Sequence, residues 1–186
     1  MTASSKIILG IDPGTIVLGY AVIKVGGSVI QLMSMGVVHL NRYEDGLQRL
    51  KIIYEKISGL VNEYRPDACA VEAPFYGKNV QSMLKLGRAQ GVAIASVLTS
   101  GVEVHEFMPK RIKQSITGNG NASKEQVAAM LQQIIGFEMQ PRFLDATDAL
   151  AAAVCYHFQN KVTGSDKAAR VSGWKDYIRK NPGRIK

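Results

Sequence analysis

The chain has 186 residues, 46% of them hydrophobic, and a formal charge of +8 from 23 Lys and Arg against 15 Asp and Glu. That is enough for one domain with a real core, and no apolar run is long enough to span a membrane. The N-terminal apolar run is too short for a signal peptide, and Cys69 and Cys155 have no ligand-type spacing, so a cytoplasmic protein with two reduced core thiols is expected.

In chain order, Lys6 to Asp12 is a short apolar run that stops at the turn sequence Asp12-Pro13-Gly14-Thr15, which predicts a buried strand ending in an acid. A second strand is predicted over Leu18 to Val25. Gly26-Gly27 signals a hairpin, and a third strand runs from Ser28 to about Leu40, completing an antiparallel meander. From Glu44 to Tyr64 the apolar residues Leu47, Leu50, Ile53, Ile57, Leu60 and Val61 fall at helical intervals. Arg65-Pro66-Asp67 ends that helix. Ala68 to Glu72 repeats the first design: apolar strand, terminal acid, then Ala73-Pro74.

A second helix is expected from Asn79 to about Thr99. Its Gly87 and Gly91 sit one turn apart and permit close approach of the sheet or of another subunit. Val102 to Phe107 reads as a fifth strand, and Pro109 opens a short helix carrying Lys110, Arg111 and Lys113. After the loop Gly118-Asn-Gly-Asn-Ala122, Ser123 and Gln126 form a capping box for a helix from Lys124 to about Ile135, closed by Gly136. The last core helix is expected from Asp145 to near Asn160. Beyond it the chain is charged and poor in apolar residues, with Trp174 and Tyr177 its aromatic anchors. The expected organisation is one α/β domain over residues 1–161, with a mixed five-stranded sheet flanked by helices, and a basic flexible tail over 162–186.

Four acids stand at element ends: Asp12, Glu72, Asp145 and Asp148. Each has an ordinary explanation as a turn former or a helix cap. Glu72 fits it least, because a charge ending an apolar strand needs a partner. The i, i+3 spacing of Asp145 and Asp148 puts both on one helical face. A set of carboxylates without His or Cys suits hard divalent ions such as Mg²⁺, and His39, His105 and His157 are scattered with no zinc pattern. Net charge is +5 over residues 78–124, −3 over 125–160 and +6 over 161–186. That separation suits an enzyme gripping a polyanion with one surface and metal with another.

Several segments, in order, resemble the RuvC family of bacterial Holliday junction resolvases. They are Gly10-Ile-Asp-Pro-Gly-Thr15 with Gly19-Tyr20, Val71-Glu-Ala-Pro-Phe75 with Lys78-Asn79, and Leu84-Lys-Leu-Gly-Arg-Ala-Gln-Gly-Val-Ala93. Lys113-Gln114, Gly118-Asn-Gly120 and Asp145-Ala-Thr-Asp-Ala-Leu-Ala151 follow. The resemblance covers roughly residues 6–160. It implies the ribonuclease H-like fold, a homodimer, four-way junction DNA as substrate, Mg²⁺ as cofactor with Mn²⁺ as substitute, and the RuvA and RuvB branch-migration proteins as partners. It places the metal-binding acids on Asp12, Glu72, Asp145 and Asp148, the aromatic that stacks on junction bases on Phe75, and basic DNA contacts on Lys113 and Lys124. Thr15 stands where the family commonly has Ser, and Tyr76-Gly77 departs from the more apolar residues expected there.

The chemistry expected is two-metal hydrolysis, with Asp12 bridging the ions and a 5′-phosphate product. Thr15, Ser82 and Ser123 have no evident His partner, which argues against a covalent intermediate. Lys78, Arg88, Lys110, Arg111, Lys113 and Lys124 are expected to contact phosphates, and Phe75 and Tyr76 to stack on splayed bases. Three other readings remain open on the residues alone. They are an actin-like phosphate-binding turn at Asp12, which would need a second domain, a DNA-binding module without catalysis, and a ribonuclease acting on RNA–DNA hybrids.

Overall fold

The computed structural model describes residues 5–27, 29–74, 79–136 and 146–165, with side chains described as far as Asn160. Its elements are β1 (Lys6–Asp12), β2 (Val17–Gly26), β3 (Val29–His39), α1 (Gly46–Tyr64), β4 (Ala68–Glu72), α2 (Val80–Leu98), β5 (Glu103–Phe107), α3 (Pro109–Thr117), α4 (Lys124–Ile135) and α5 (Thr147–Ser165). They form a five-stranded sheet in the order β3-β2-β1-β4-β5. The first three strands are antiparallel neighbours, while β1–β4 and β4–β5 are parallel.

Both faces of the central strands are covered, which is why β1 and β4 read as unbroken apolar runs. Leu9, Ile11, Cys69 and Val71 point to one core, shared with Ile53 and Ile57 of α1 and Ala93 and Val97 of α2. Ile8 and Ala70 point the other way, into a core with α3, α4 and α5. Cys69 is buried among apolar groups that push its thiol pKa far upward, so it is an inert core residue.

The local signals explain the element ends. Asp45 caps α1 by accepting from the amides of Leu47 (3.2 Å) and Gln48 (3.1 Å). Ser123 and Gln126 form the expected capping box, and Gly136 closes α4 in the left-handed region at φ +75°. One expectation needs correction. The last helix begins at Thr147 and runs to Ser165, five residues past Asn160. Of the two alternatives for Gly87 and Gly91, the sheet is not the one: outside its own helix, a Cβ at either would meet no described atom within 4 Å.

The close approach occurs instead at Gly10. α5 is lined with small buried residues, among them Ala149, Ala152 and Ala153, so it lies directly on the sheet. A Cβ on Gly10 would stand 2.0 Å from the carbonyl oxygen of Ala149 and 3.0 Å from the Cβ of Ala153. Backbone cannot yield as a flexible side chain does. Gly10→Ala is therefore expected to lift α5 off β1 and to cost about 1–3 kcal/mol, read as a lowered midpoint in urea. Cleavage activity should fall further than that loss explains, because α5 carries Asp148.

Candidate metal centre

The register of the parallel pair runs from Ile8 opposite Ala68 to Ile11 opposite Val71. Continued by one step, it sets Asp12 beside Glu72 at the C-terminal edge of the sheet. Side chains alternate along a strand, so both acids follow Ile8, Gly10 and Ala70 onto the α5 face. Asp148 lies in the first turn of α5, next to the Ala149 carbonyl that rests on Gly10. The result is a triangle: one carboxylate oxygen from each of Asp12, Glu72 and Asp148 lies within 4.8 Å of the others, all three half-buried.

Such a cluster repels itself. Burial, then the charges of Asp12 and Asp148, raise the Glu72 pKa from 4.5 to about 8, against the lowering pull of Lys124 and Lys113. Lys124 answers part of the excess charge: its Nζ donates to Asp148 Oδ2 at 2.5 Å, and that hydrogen bond is the main cause of its raised pKa. Its place follows from the capping box, since Lys124 is the first residue of α4. Lys113 Nζ donates to the carbonyl of Ala122 at 2.8 Å, which ties α3 to the loop preceding that cap.

The donor set is three carboxylates with no nitrogen or sulfur ligand, which fits a hard divalent cation bound through oxygen. A cation there relieves the repulsion that raises the Glu72 pKa. Lys124 competes with it for Asp148, so Lys124→Met is expected to tighten Mn²⁺ binding by about five- to tenfold in calorimetric titration, on the order of 1 kcal/mol of removed like charge.

The sequence-predicted residues divide clearly. Asp12, Glu72, Asp148, Lys113 and Lys124 come together. Lys110 and Arg111 lie exposed on α3. Arg88 is exposed on α2 and lines a separate cavity beside Thr15. Asp145, Phe75, Tyr76 and Lys78 lie outside the described residues. Gln90 escaped sequence reasoning. It lines a cavity of about 180 Å³ with Asp12, Pro13, Glu72 and Leu86, is 6% exposed, and donates from Nε2 to Glu106 Oε1 at 2.5 Å. Its one signal was polarity on the buried face of α2, between Ala89 and Ala93.

Comparison with known proteins identifies the family and the fold. A family model described as crossover junction endodeoxyribonuclease RuvC matches residues 8–156. The protein of that name from Cytophaga hutchinsonii is 54% identical over 181 residues, covering 97% of this chain and 88% of its own. That of Porphyromonas gingivalis is 50% identical over the whole of both chains. Among solved structures, Thermus thermophilus RuvC in complex with a Holliday junction substrate superposes with a TM-score of 0.79 at 32% identity, covering 85% of this chain and 96% of that one. The yeast mitochondrial Holliday junction resolvase shares the fold at a TM-score of 0.64 and 13% identity.

Proposed function

The chain belongs to the RuvC family of crossover junction endodeoxyribonucleases, and from that premise we propose that Asp12, Glu72 and Asp148 are the carboxylates with which it cuts DNA. It has the ribonuclease H-like fold and is a Holliday junction resolvase, an endonuclease of recombination and repair. The observation that carries the site assignment is the carboxylate triangle at the edge of β1 and β4, within 4.8 Å.

The residues fit Mg²⁺, with Mn²⁺ as a substitute, and Asp145 is proposed to join the set from just ahead of α5. Bound there, Mg²⁺ supplies a lowered pKa for the attacking water and charge compensation for the leaving 3′ oxygen, so that the product carries a 5′-phosphate. The chain's own part is positioning. Asp12, central in the sheet, reaches both sides of the site. Glu72 must give up its proton to become a ligand. Lys124, once released from Asp148, and Lys113 bring positive charge to the scissile phosphate. Lys110, Arg111, Arg88 and Lys78 hold neighbouring phosphates, and Phe75 and Tyr76 stack on unpaired bases at the crossover.

Two symmetric cuts need two such sites, and a two-fold homodimer provides them. The exposed stripe Val80, Leu84, Gly87, Gly91, Ala95 and Leu98 on α2 supports that reading. Its steps are each three or four residues, and its glycines leave room for a second helix. Partnership with RuvA and RuvB and action in the cytoplasm belong to the same proposal. Among the described residues no helix is long and apolar enough to cross a membrane.

The test compares a mobile four-way junction, the matching duplex and an RNA–DNA hybrid, each with Mg²⁺ and with chelator. Paired Mg²⁺-dependent nicks at symmetric positions of the junction alone are the expected result. Cutting of the hybrid in preference, or binding without cutting in any divalent metal, would refute it.

A further inference from the structure

A second cavity, of about 390 Å³, opens on the other face of the sheet, between the first half of α1 and α2. Thr15 forms part of its wall, and only Pro13 and Gly14 separate it in sequence from Asp12. The β1–β2 connection thus borders both places, through Pro13 at the acids and Thr15 here.

The cavity is amphipathic. Leu40, Ile53 and Ala89 line it with 0%, 0% and 2% exposure. Lys85 and Arg88, both exposed on α2, line it as cations, and among the described residues neither has a carboxylate within ion-pair distance. Arg49 is differently engaged: it donates from Nε to the carbonyl of Tyr43 at 2.7 Å and from Nη1 to that of Thr15 at 3.3 Å, which fixes the wall. Two acids also border the space. Asp45 is committed to capping α1 through both its oxygens. Glu44 is left as a hydrogen-bond acceptor at the opening.

Resting on the reading of this chain as a junction endonuclease, we propose that the cavity receives one unstacked nucleotide of the bound DNA, its base against the apolar residues and its phosphate between Lys85 and Arg88. The volume lies within the range of small-ligand sites. Two unpaired cations beside an apolar lining select an anion with an apolar body, and DNA held at the adjacent acids provides one at high local concentration. The junction centre is where extruding a base costs least. Cations on the phosphate hold any sequence, whereas Glu44 accepts from the exocyclic amine of cytosine, adenine or guanine and so disfavours thymine, which has none.

The test places 2-aminopurine at each central position of a four-way junction and reads its fluorescence on binding the full-length protein in Ca²⁺. Cleavage in Mg²⁺ and the sedimentation coefficient are measured alongside. Leu47 is 72% exposed at the opening and lies in the first turn of α1, where an acid suits the helix, so Leu47→Glu adds a repelling charge without disturbing the fold. For one central position, a several-fold fluorescence change with wild type is expected. Leu47→Glu and Lys85→Ala should abolish it, and cleavage should fall at least tenfold while junction affinity falls only a few-fold. An equal fluorescence change in wild type and both variants would overturn the proposal. So would dissociation of a dimer by Leu47→Glu, which would assign the cavity to a second copy of the chain. A fluorescence change lost in the variants, with wild type cutting no junction, would leave this site standing and refute the nuclease reading instead.

Discussion

Asp12→Asn is expected to lower Mg²⁺-dependent junction cleavage by roughly 10³-fold or more while junction binding stays within a few-fold of wild type. The reasoning is local. Asn keeps the shape of Asp at the end of β1, where the neighbouring Gly10 has no space to spare against Ala149. The fold should therefore be undisturbed, and thermal melting of the metal-free protein should be equal or raised, since one of the clustered acids is gone. Removing a repelling charge beside the phosphates also predicts binding as tight as wild type or tighter. Single-turnover cleavage and a gel-shift titration on one protein preparation separate the two effects. Retained cleavage would remove Asp12 from the chemistry.

Glu72→Gln should separate stability from activity in the same way, with a distinct dependence on pH. In the folded, metal-free chain the Glu72 pKa is raised to about 8, by burial first and then by Asp12 and Asp148. The unfolded chain releases this proton near pH 4.5, so between those values the folded state holds a proton the unfolded state lacks. Stability therefore falls as pH rises through this window, and the full penalty, on the order of 2–4 kcal/mol, is present above pH 8. Gln carries no such proton. The variant should be more stable than wild type at pH 8.5 without metal, equal to it near pH 4, and inactive throughout. Urea denaturation at the two pH values checks this. The same proton opposes cation binding, so wild-type Mg²⁺ affinity should strengthen as pH rises toward 8.

Much of the architecture was written in local chemistry. Prolines after Asp12 and Glu72 stop two apolar strands at an acid, and Ser123 with Gln126 fixes the start of α4 to the residue. Periodicity located α1, and Asn79 and Asp45 cap helices within two residues of the expected starts. What the chain order does not carry is distance. Asp12 and Glu72 meet because β1 and β4 pair in parallel at one register out of several. Asp148 joins them because Gly10 and a run of alanines let a helix rest on a strand. The Lys124–Asp148 contact spans 24 positions and has no local signature. Gln90 was hidden for a related reason: a lone polar residue in a helix looks solvent-facing until its partner, Glu106 on β5, is known. Gly87 and Gly91 show the limit of spacing alone: it allowed packing on the sheet or on another subunit, and only the structure shows that among the described residues no other element lies beside them.

The most direct measurement is an anomalous difference map from crystals of the protein with junction DNA grown in Mn²⁺. The account predicts two peaks about 3.5–4 Å apart, held between the Asp12, Glu72 and Asp148 carboxylates, with Asp12 touching both and a backbone phosphate alongside. Mn²⁺ bound away from this triangle, in crystals whose protein still cuts the junction in solution, would contradict it.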